Sequence, residues 1–432
     1  MEKELPKVLA ITLSEWRTDS SSHTLPDLFK FWKKEKVAQI YTKALLPKTP
    51  VCNKFFQISE NAVIKSVFNR KMVGREVYNE ATENSSDKKA IQSEQKLYKL
   101  AHNKKSWFLT VAREFVWNLG CWKSKALDDF VKNFDADVYF IPVYPVAYMG
   151  KIQRYILKKF PKPYVAFLAD DNYSYENCGS NPMAYFHRFL LRRQVGKLAK
   201  NCDEMFTITK TEAEDTDKRF GTNSVILTKG IDYSDIIYEE KQINDPIKMV
   251  YTGSMIIGRN YSLSAISKAL KEINQDGIKI TLDIYSQDIP HGKIADLLNS
   301  NGCCFRGRIS RDEVYRIQSE ADIVIFVESL EKKHRYAAKL SFSTKLTDYF
   351  KSGKCIFAIG DETIAPIVYL KENDAAIVST EYEDILSNLK KILENKSLIA
   401  EYGKKAFECG KRNHNEEDVK ETFISTILRA TR

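Results

Sequence analysis

Two segments in the second half of the chain have residue types and spacing suited to binding a phosphate. The first, YTGSM (251–255), ends an apolar run with Gly253 and Ser254, and Arg259 follows just before an amphipathic stretch. A glycine at the end of a strand lets the backbone approach a ligand, and the start of the next helix favours an anion. Arg259 would pair with a phosphate through its planar guanidinium. A plain tight turn is the alternative interpretation.

The second segment is FSTKLTDYFKSGKCIFAIG (342–360). Ser343 and Thr344 are candidates for the N-cap of a helix. Lys345 would then lie in the first helical turn, where a cation opposes the helix dipole unless an anion is bound there. Asp348 would lie on the same face, three residues later. A lysine beside open amide groups, followed by a carboxylate, suits a diphosphate next to a ribose diol. A surface lysine with a capping aspartate is the alternative.

The first half of the chain offers a carboxylate pair. YVAFLADDNYS (164–174) ends an apolar run at Asp170 and Asp171, and His23 follows the first apolar run of the chain. A carboxylate at the end of a strand can orient an acceptor hydroxyl or act as a general base. A helix-capping turn explains the Asp-Asp-Asn sequence equally well. His, Asp and Glu show no metal-ligand spacing, so the sequence predicts neither a metal nor a cofactor.

The elements that must position these residues follow a regular alternation. Short β-rich runs, apolar on both faces, recur between amphipathic helical stretches, as a parallel sheet covered by helices requires. Two series of such units predict an α/β protein with two doubly wound domains. The runs are 8–13, 37–42, 137–143, 164–169, 205–209 and 224–228 in the first series, and 247–253, 280–285, 303–307, 322–327, 355–360 and 375–379 in the second.

The domain boundaries follow from breaks in this alternation. The polar segment YEEKQINDPIK (238–248) precedes a fresh strand, which predicts domains over 1–242 and 243–413. An amphipathic helix over 414–432 has no strand after it and is expected to return to the first domain. The stretch 53–134 is predicted to be a helical insertion of two or three helices. Helix-like apolar spacing is shown by Phe55, Ile58, Val63 and Val67. The aromatic residues that follow are expected to form core rather than a binding platform, and they are Trp107, Phe108, Phe115, Trp117 and Trp122.

Charge is distributed unevenly along the 432 residues. The formal net charge is +10, but residues 1–200 hold 34 Lys and Arg against 20 Asp and Glu, whereas the remainder holds 33 against 37. A basic first half indicates an anionic partner, namely a lipid surface, a phosphorylated acceptor or nucleic acid, or else a solvated basic face. MAYFHRFLLRRQVGKLAK (183–200) contains His187 and is suited to an anionic membrane surface. A helix packed on the sheet with its basic residues outward is the alternative.

Other features of the sequence point to a cytoplasmic protein. Apolar runs are too short for a spanning helix, and the N-terminus does not have the pattern of a signal peptide. The eight cysteines lack CxxC spacing and are expected to be reduced thiols.

In the order and spacing of its motifs, the chain resembles the GT-B-type glycosyltransferases, specifically the bacterial group-one (family four-like) polysaccharide enzymes. The resemblance implies two Rossmann-like domains facing a cleft. It also implies sugar transfer from a UDP- or GDP-linked donor, without a metal, to a saccharide or lipid-linked acceptor. The process would be synthesis of a capsule, exopolysaccharide or lipopolysaccharide at the inner face of the membrane. The segments that carry it are DADVYFIP, AKNCDEMFTITKTEAED, VILTKGID, YTGSM, LDIYSQ, FRGRISRDEVYRIQSEADIVIFVES and FSTKLTDYFKSGKCIFAIG.

The resemblance also assigns roles to individual positions. Gly253 and Ser254 match the glycine turn near the donor diphosphate, and Arg259 stands near a basic residue of relatives on that group. A helix start in this sequence matches the one that binds the diphosphate in relatives. Asp348 occupies the position of the acidic residue that binds the ribose hydroxyls in those relatives. The nucleobase would lie against the backbone after Gly307. The helix-start residues are Ser343, Thr344 and Lys345, and the nucleobase residues are Arg308 and Ile309.

The sequence departs from this pattern at three places. Leu340 occupies a position where many relatives have a glutamate, and the ribose residue is Asp348 rather than the commoner glutamate. Asp170 and Asp171 replace a His-Asp pair that faces the reacting carbon of the sugar in many relatives. If Asp170 acts as the base, the expected reaction inverts the configuration at that carbon. A non-catalytic GT-B-like partner of a glycosyltransferase complex is therefore the alternative function. A nucleic-acid-binding protein is not favoured, because no recognised motif is present.

Overall fold

The computed structural model describes residues 4–19, 24–81, 85–104, 107–176, 178 and 181–432. They divide into two compact units, Met1–Leu227 with Lys420–Arg432, and Thr228–Val419. Each unit is built on one sheet, as the alternation of apolar runs predicts. Among the described residues, no helix is long and apolar enough to cross a membrane.

The first unit contains an eight-stranded sheet in the order β4-β3-β2-β1-β5-β6-β7-β8. Every neighbouring pair is parallel except β3 and β4, which are antiparallel. The central strands are buried on both faces because helices connect them, which explains their continuous apolar sequences. The strands are β1 (Val8–Ile11), β2 (Val37–Tyr41), β3 (Lys54–Gln57), β4 (Arg75–Val77), β5 (Val138–Pro142), β6 (Tyr164–Leu168), β7 (Glu204–Thr207) and β8 (Ser224–Ile226).

The second unit contains a six-stranded parallel sheet in the order β11-β10-β9-β12-β13-β14. The strand order reverses between β9 and β12, so the carboxyl ends of these two strands form a topological switch point. The strands are β9 (Ile247–Thr252), β10 (Ile280–Tyr285), β11 (Cys303–Gly307), β12 (Ile323–Val327), β13 (Cys355–Ile359) and β14 (Ile377–Ser379).

Helices connect the strands in both units, and a short 3₁₀ helix covers Lys34–Lys36. Those before β9 are α1 (Thr24–Leu28), α2 (Glu60–Asn69), α3 (Ser85–Lys104), α4 (Trp107–Leu119), α5 (Lys125–Phe134), α6 (Ala147–Lys159), α7 (Pro182–Ala199) and α8 (Lys210–Phe220). Those after β9 are α9 (Arg259–Ile273), α10 (Gly292–Leu297), α11 (Arg311–Glu320), α12 (Thr344–Ser352), α13 (Ala365–Glu372), α14 (Tyr382–Glu394), α15 (Ser397–Asn413) and α16 (Glu416–Ala430).

The stretch 53–134 differs from the purely helical prediction. It contains α2 to α5, but it begins with β3 and also contributes β4 to the edge of the sheet. Phe55, which fits a helical spacing in the sequence, lies on β3 and pairs with Gln39 of β2. A four-residue strand is too short to show a clear two-residue period, which is why the longer helical pattern hides it.

The aromatic residues of this stretch are divided between core and surface. Trp117 and Trp122 are buried, whereas Phe115 is 62% exposed at the surface of α4. The side chains of Trp107 and Phe108 lie outside the described part of the structure. The expectation that these aromatics form core therefore applies to the two tryptophans and not to Phe115.

The segment before β9 packs on the second unit. The Tyr238 hydroxyl donates to the carbonyl of Ala400, 3.0 Å away, and the Tyr238 ring lies 5.7 Å from that of Phe407. The division between the units therefore falls at Leu227 and Thr228, earlier than the predicted boundary at 242–243. An aromatic side chain anchors the polar segment to α15, and the composition of the linker does not reveal this contact.

Candidate functional site

A pocket of about 340 Å³ lies at the carboxyl edge of the second sheet. Its walls come from the residues after β9, β10 and β11 and from the start of α12, beside the point where the strand order reverses. Ligands of doubly wound proteins bind at this place because strand ends and helix N-termini meet there. The residues that line it are Thr252, Gly253, Ser254, Tyr285, Ser286, Gln287, Arg308, Ile309, Val314, Gln318, Lys345 and Asp348.

The pocket brings together residues that the sequence analysis selected from three separate segments. Gly253 and Ser254 come from the end of β9, Arg308 and Ile309 from the end of β11, and Lys345 and Asp348 from α12. Arg308 is exposed, and no described residue forms an ion pair with it. Three predicted residues do not line the pocket, namely Arg259, Ser343 and Thr344.

Gly253 and Lys345 lie in direct contact. Gly253 has a φ of +151°, and a Cβ at this position would come within 1.8 Å of the Lys345 Nζ. The ammonium also lies 5.3 Å from the centre of the Tyr251 ring. Only a glycine leaves room for this lysine to reach the strand end, which gives the YTGSM turn a structural reason beyond backbone freedom.

Lys345 is a half-buried cation that forms no ion pair with any described residue. Burial and, to a smaller extent, the nearby positive charge of Arg259 lower the pKa of its ammonium to about 8. Glu328 and Asp288 act in the opposite direction, but neither forms a salt bridge with it. An anion bound in the pocket would restore the charged form.

The start of α12 leaves amide groups available beside this lysine. Ser343 occupies the predicted N-cap position, but its side chain does not make the hydrogen bond that caps a helix. The Leu346 amide donates to the Ser343 carbonyl, 3.0 Å away. The amides of Thr344 and Lys345 find no acceptor in the described part of the chain. Such groups carry the positive end of the helix dipole.

Arg259 is held by a carboxylate that the sequence analysis missed. It is the first residue of α9, and its guanidinium contacts Glu328 through two hydrogen bonds of 3.1 and 2.9 Å. Glu328 directly follows β12 and is 5% exposed. The predicted contact of Arg259 with a diphosphate would therefore compete with an existing buried ion pair.

Asp348 is also paired. Its Oδ1 lies 3.3 Å from the Nζ of Lys229, and both side chains are half-buried. Lys229 belongs to VILTKGID, one of the segments that carry the resemblance. That segment is the sequence signal that could have pointed to Lys229.

A second missed acid, Asp288, shapes the turn after β9. Its Oδ2 accepts hydrogen bonds from the Ser254 hydroxyl at 2.6 Å and the Met255 amide at 2.8 Å. The hydroxyl predicted to meet a diphosphate is thus occupied in holding the turn. Ile309 packs with Tyr285 against the buried cluster around Val250, which forms an apolar side of the pocket.

In the first unit, Asp171 forms a local turn. Its carboxylate accepts hydrogen bonds from the amide and the hydroxyl of Ser174, with the amide nitrogen 2.8 Å away. Its carbonyl accepts from Arg188 at 2.9 Å. These contacts match the capping-turn alternative for Asp171, whereas Asp170 is exposed at the end of β6. His23 lies outside the described residues.

Glu212 is a buried acid near this turn that the sequence analysis did not select. Its Oε2 accepts a hydrogen bond from the Ile208 amide at 3.0 Å. Burial raises the pKa of its carboxyl well above the usual value, and the charges of Asp170 and Asp171 add to the shift. The strand end therefore gathers three carboxyl groups, and the environment of the buried one disfavours its charged form.

Two further residues considered in the sequence analysis, Leu340 and His187, are buried or partly buried. Leu340 is 2% exposed, so the position that carries a glutamate in many relatives is part of the core here. His187 lies on α7, where burial lowers the pKa of its imidazole. Among the described residues, no group of three or more His, Cys, Asp or Glu is arranged to hold a metal ion.

Comparisons with known proteins find similarity in structure and not in sequence. No protein-family model matches the chain, and no curated protein matches it. HepE of Anabaena in complex with UDP superposes with a TM-score of 0.59 at 11% identity, over 98% of this chain and 99% of that one. WaaG, a glycosyltransferase involved in lipopolysaccharide biosynthesis, has a TM-score of 0.53 at 14% identity, with 98% of each chain covered.

Two further structural neighbours differ from HepE and WaaG in description or in length. The N-terminal domain of a Candida albicans trehalose-6-phosphate phosphatase has a TM-score of 0.57 at 12% identity, over 100% of this chain and 98% of that domain. The chain spans 55% of the length of S. aureus TarM, with a TM-score of 0.49 at 13% identity and 67% of this chain covered. HepE and WaaG are GT-B glycosyltransferases, so the predicted GT-B fold is confirmed. At these identities the likeness concerns the fold alone.

Proposed function

We propose that this chain is a glycosyltransferase that uses a nucleotide-diphosphate sugar. The observation that carries the proposal is the meeting of Gly253, Lys345 and the open amides of α12 in one pocket, with Asp348 beside them. Lys345 is a half-buried cation with no ion pair among the described residues, and a bound diphosphate would supply the opposite charge. The UDP in the HepE complex belongs to that protein, and it supports the same donor class here.

Different residues of the pocket would bind different parts of the donor. Lys345 and the amides of Thr344 and Lys345 would bind the diphosphate and stabilise the charge that develops as it leaves. Asp348 would accept hydrogen bonds from the ribose hydroxyls after release from Lys229. Arg308 and Ile309 would bind the base, which is that of a UDP- or GDP-linked sugar. These protein groups supply the counter-charge in this proposal, without a metal ion.

Arg259 and Ser254 have different roles from those predicted. Glu328 holds the Arg259 guanidinium, so we propose that Arg259 acts on the diphosphate through its field and not by direct contact. Ser254 fixes the turn through Asp288, and it lines the pocket. Ser343 contributes a backbone position at the start of α12.

For the acceptor, we propose a saccharide or lipid-linked saccharide of bacterial surface polysaccharide synthesis. The involvement of WaaG in lipopolysaccharide biosynthesis supports this class. In the first unit, exposed Asp170 is the proposed base or acceptor-orienting group, and Asp171 holds the turn that positions it.

The exposed face of α7 supports peripheral binding of an anionic membrane from the cytoplasmic side. Tyr185, Phe186 and Phe189 are between 45% and 56% exposed, and basic residues follow on the same helix. Aromatic rings beside cations suit the interface of an anionic bilayer. The basic residues are Arg188, Arg192, Arg193 and Lys197.

A non-catalytic GT-B-like partner is the second candidate function. Buried Leu340 and the Arg259–Glu328 ion pair favour it, because both reduce the polar groups available to a donor sugar. The Candida albicans domain is part of a protein named as a phosphatase, so the fold alone does not decide the activity.

Calorimetric titration with UDP, GDP, ADP and CMP separates the two candidates. We expect one nucleotide to bind with micromolar affinity, and the affinity to fall at least tenfold in Lys345→Ala and in Asp348→Ala. Lys351→Ala is the matched control, because Lys351 is an exposed lysine in the last turn of the same helix. If the folded protein binds none of the four nucleotides, the enzyme proposal fails and the non-catalytic partner takes its place.

A further inference from the structure

The first unit contains a second cavity, of about 790 Å³, more than twice the volume of the pocket on the second unit. We call it the flank cavity. It lies between the end of α4, the segment that follows it and the outer side of α6. The residues that line it are Met72, Trp117, Asn118, Gly120, Cys121, Trp122, Lys123, Lys151, Arg154, Tyr155, Lys158 and Lys159.

The charged residues of this lining are all basic. Two of the five have acidic partners: Lys151 lies 3.7 Å from Glu114, and Lys159 lies 2.7 Å from Asp128. Lys123, Arg154 and Lys158 form no ion pair with any described residue. Three cations without acidic partners around one concave surface create a positive potential that attracts an anion.

Helix electrostatics accounts for only part of this arrangement. Lys158 and Lys159 lie in the last turn of α6, where a cation favours the helix dipole. Arg154 lies in the middle of the same helix, and Lys123 lies outside any helix. Lys151, Arg154 and Lys158 share one face of α6, where neighbouring like charges destabilise a helix. A ligand with negative charge would offset this repulsion.

Two hydrogen-bond donors among the lining residues are buried without an acceptor. They are the Nη1 of Arg154 and the Nε1 of Trp117, for which the described part of the chain provides no partner. Trp117 is 1% exposed. An unsatisfied buried donor costs about 1–3 kcal/mol. Burial also lowers the pKa of Arg154.

The same cavity has aromatic walls. The Trp122 and Tyr155 rings meet edge to face with their centres 5.5 Å apart. The Lys123 ammonium lies 5.4 Å from the Trp122 ring centre and 5.6 Å from that of Tyr155. A simple phosphate ion would leave most of this space and these apolar walls uncovered. Sugar rings have apolar C–H faces and polar edges, and so match both kinds of surface.

We propose that the flank cavity binds an anionic segment of a saccharide chain, distinct from the nucleotide pocket. Lys123, Arg154 and Lys158 would contact its phosphate or carboxylate groups, and Tyr155 a sugar ring face. Such a site would hold a polymer on the first unit and raise its local concentration for successive reactions. The site does not depend on the donor pocket, because its residues all belong to the first unit.

The test is binding of a galacturonic acid hexamer to the full chain, with maltohexaose as the uncharged counterpart. We expect the anionic hexamer to bind and the neutral one to bind at least tenfold more weakly. The triple variant Lys123→Gln, Arg154→Gln, Lys158→Gln should lose at least tenfold in affinity for the anionic hexamer. Lys158→Gln alone should lose part of it, and because this side chain is exposed, its removal does not threaten the fold.

The matched control is Lys132→Gln, which removes an exposed lysine of α5 outside the cavity. It should leave binding unchanged. A UDP titration of each variant distinguishes failure of this site from failure of the donor proposal, since the triple variant should bind UDP as the wild type does. Absence of hexamer binding, equal binding of both hexamers, or equal affinity of the triple variant would overturn the proposal. Phosphatidylglycerol vesicles that bind the wild type and not the triple variant, without hexamer binding, would assign the cavity to lipid.

Discussion

At the residue scale, Lys345 combines burial, contact with Gly253 and the lack of an acidic partner in the described structure. A lysine with a pKa of about 8 is partly neutral in a mildly alkaline solution, and a neutral amine binds a diphosphate poorly. The residue was identifiable from the sequence because a first-turn lysine opposes the helix dipole. Its lowered pKa was not, since the shift arises from burial in the folded chain and from the charge of Arg259 on α9.

The pKa of Lys345 predicts how nucleotide binding depends on pH. The bound anion favours the protonated amine, so its pKa in the complex is higher than in the free protein. Affinity is therefore full below about pH 8 and falls as pH rises above it, by up to about tenfold per unit. Calorimetry between pH 7.5 and 9 should show this fall together with proton uptake. Lys345→Gln should bind weakly without the fall, and a wild type that is equally flat would contradict the assignment.

At the element scale, the turn after β9 and the start of α12 hold each other in position. Gly253 has a φ of +151°, which residues with side chains rarely adopt, and the lysine of α12 fills the space where a side chain would lie. Asp288 holds the same turn from β10. The strand ends and the helix start thus position each other, which the separate sequence motifs suggest only through their order.

Gly253→Ala tests the contact between Gly253 and Lys345. The new Cβ would displace the Lys345 ammonium, so nucleotide affinity should fall at least tenfold, with a stability loss of about 1 kcal/mol or more from the strained φ. Gly277→Ala is the matched control, because Gly277 has a φ of +116° and nothing within 4 Å of its Cβ position. It should lose stability and keep its affinity. Urea unfolding and calorimetry measure both quantities; an equal loss of affinity in the two variants would refute the contact.

At the scale of the whole molecule, the chain completes its first unit with its last helix. Phe423 of α16 is fully buried, and its ring centre lies 5.1 Å from Phe29, 5.8 Å from Phe140 and 5.6 Å from Phe206. Arg429 of the same helix pairs with Glu204 of β7 at 2.8 Å. The C-terminal segment is therefore part of the core of the first unit.

Phe423→Ala should lower the free energy of unfolding by about 3–5 kcal/mol, because it leaves a cavity among packed rings. Glu421→Ala, which changes an exposed residue of the same helix, should stay within about 0.5 kcal/mol. Urea unfolding followed by tryptophan fluorescence measures both, since Trp32 lies 5.4 Å from Phe423. Equal stability of the two variants would show that α16 contributes little to this core.

The sequence by itself determined twelve of the thirteen parallel strands described, the two sheets and the segments that meet in the pocket of the second unit. Runs of apolar residues and glycine- or lysine-containing turns are local signals, and each can be recognised within a few residues. It did not reveal β3 and β4, whose short runs are hidden in a helical pattern.

Only the tertiary structure decided which side chains are engaged with each other. Arg259 and Glu328 are 69 positions apart in the chain, and Lys229 and Asp348 are 119 apart, yet both pairs form at the site. The role of Asp171 in a turn and the gathering of unpartnered cations around the flank cavity were decided in the same way. Ion pairing and burial depend on distances in space, and folding sets these distances by packing whole elements.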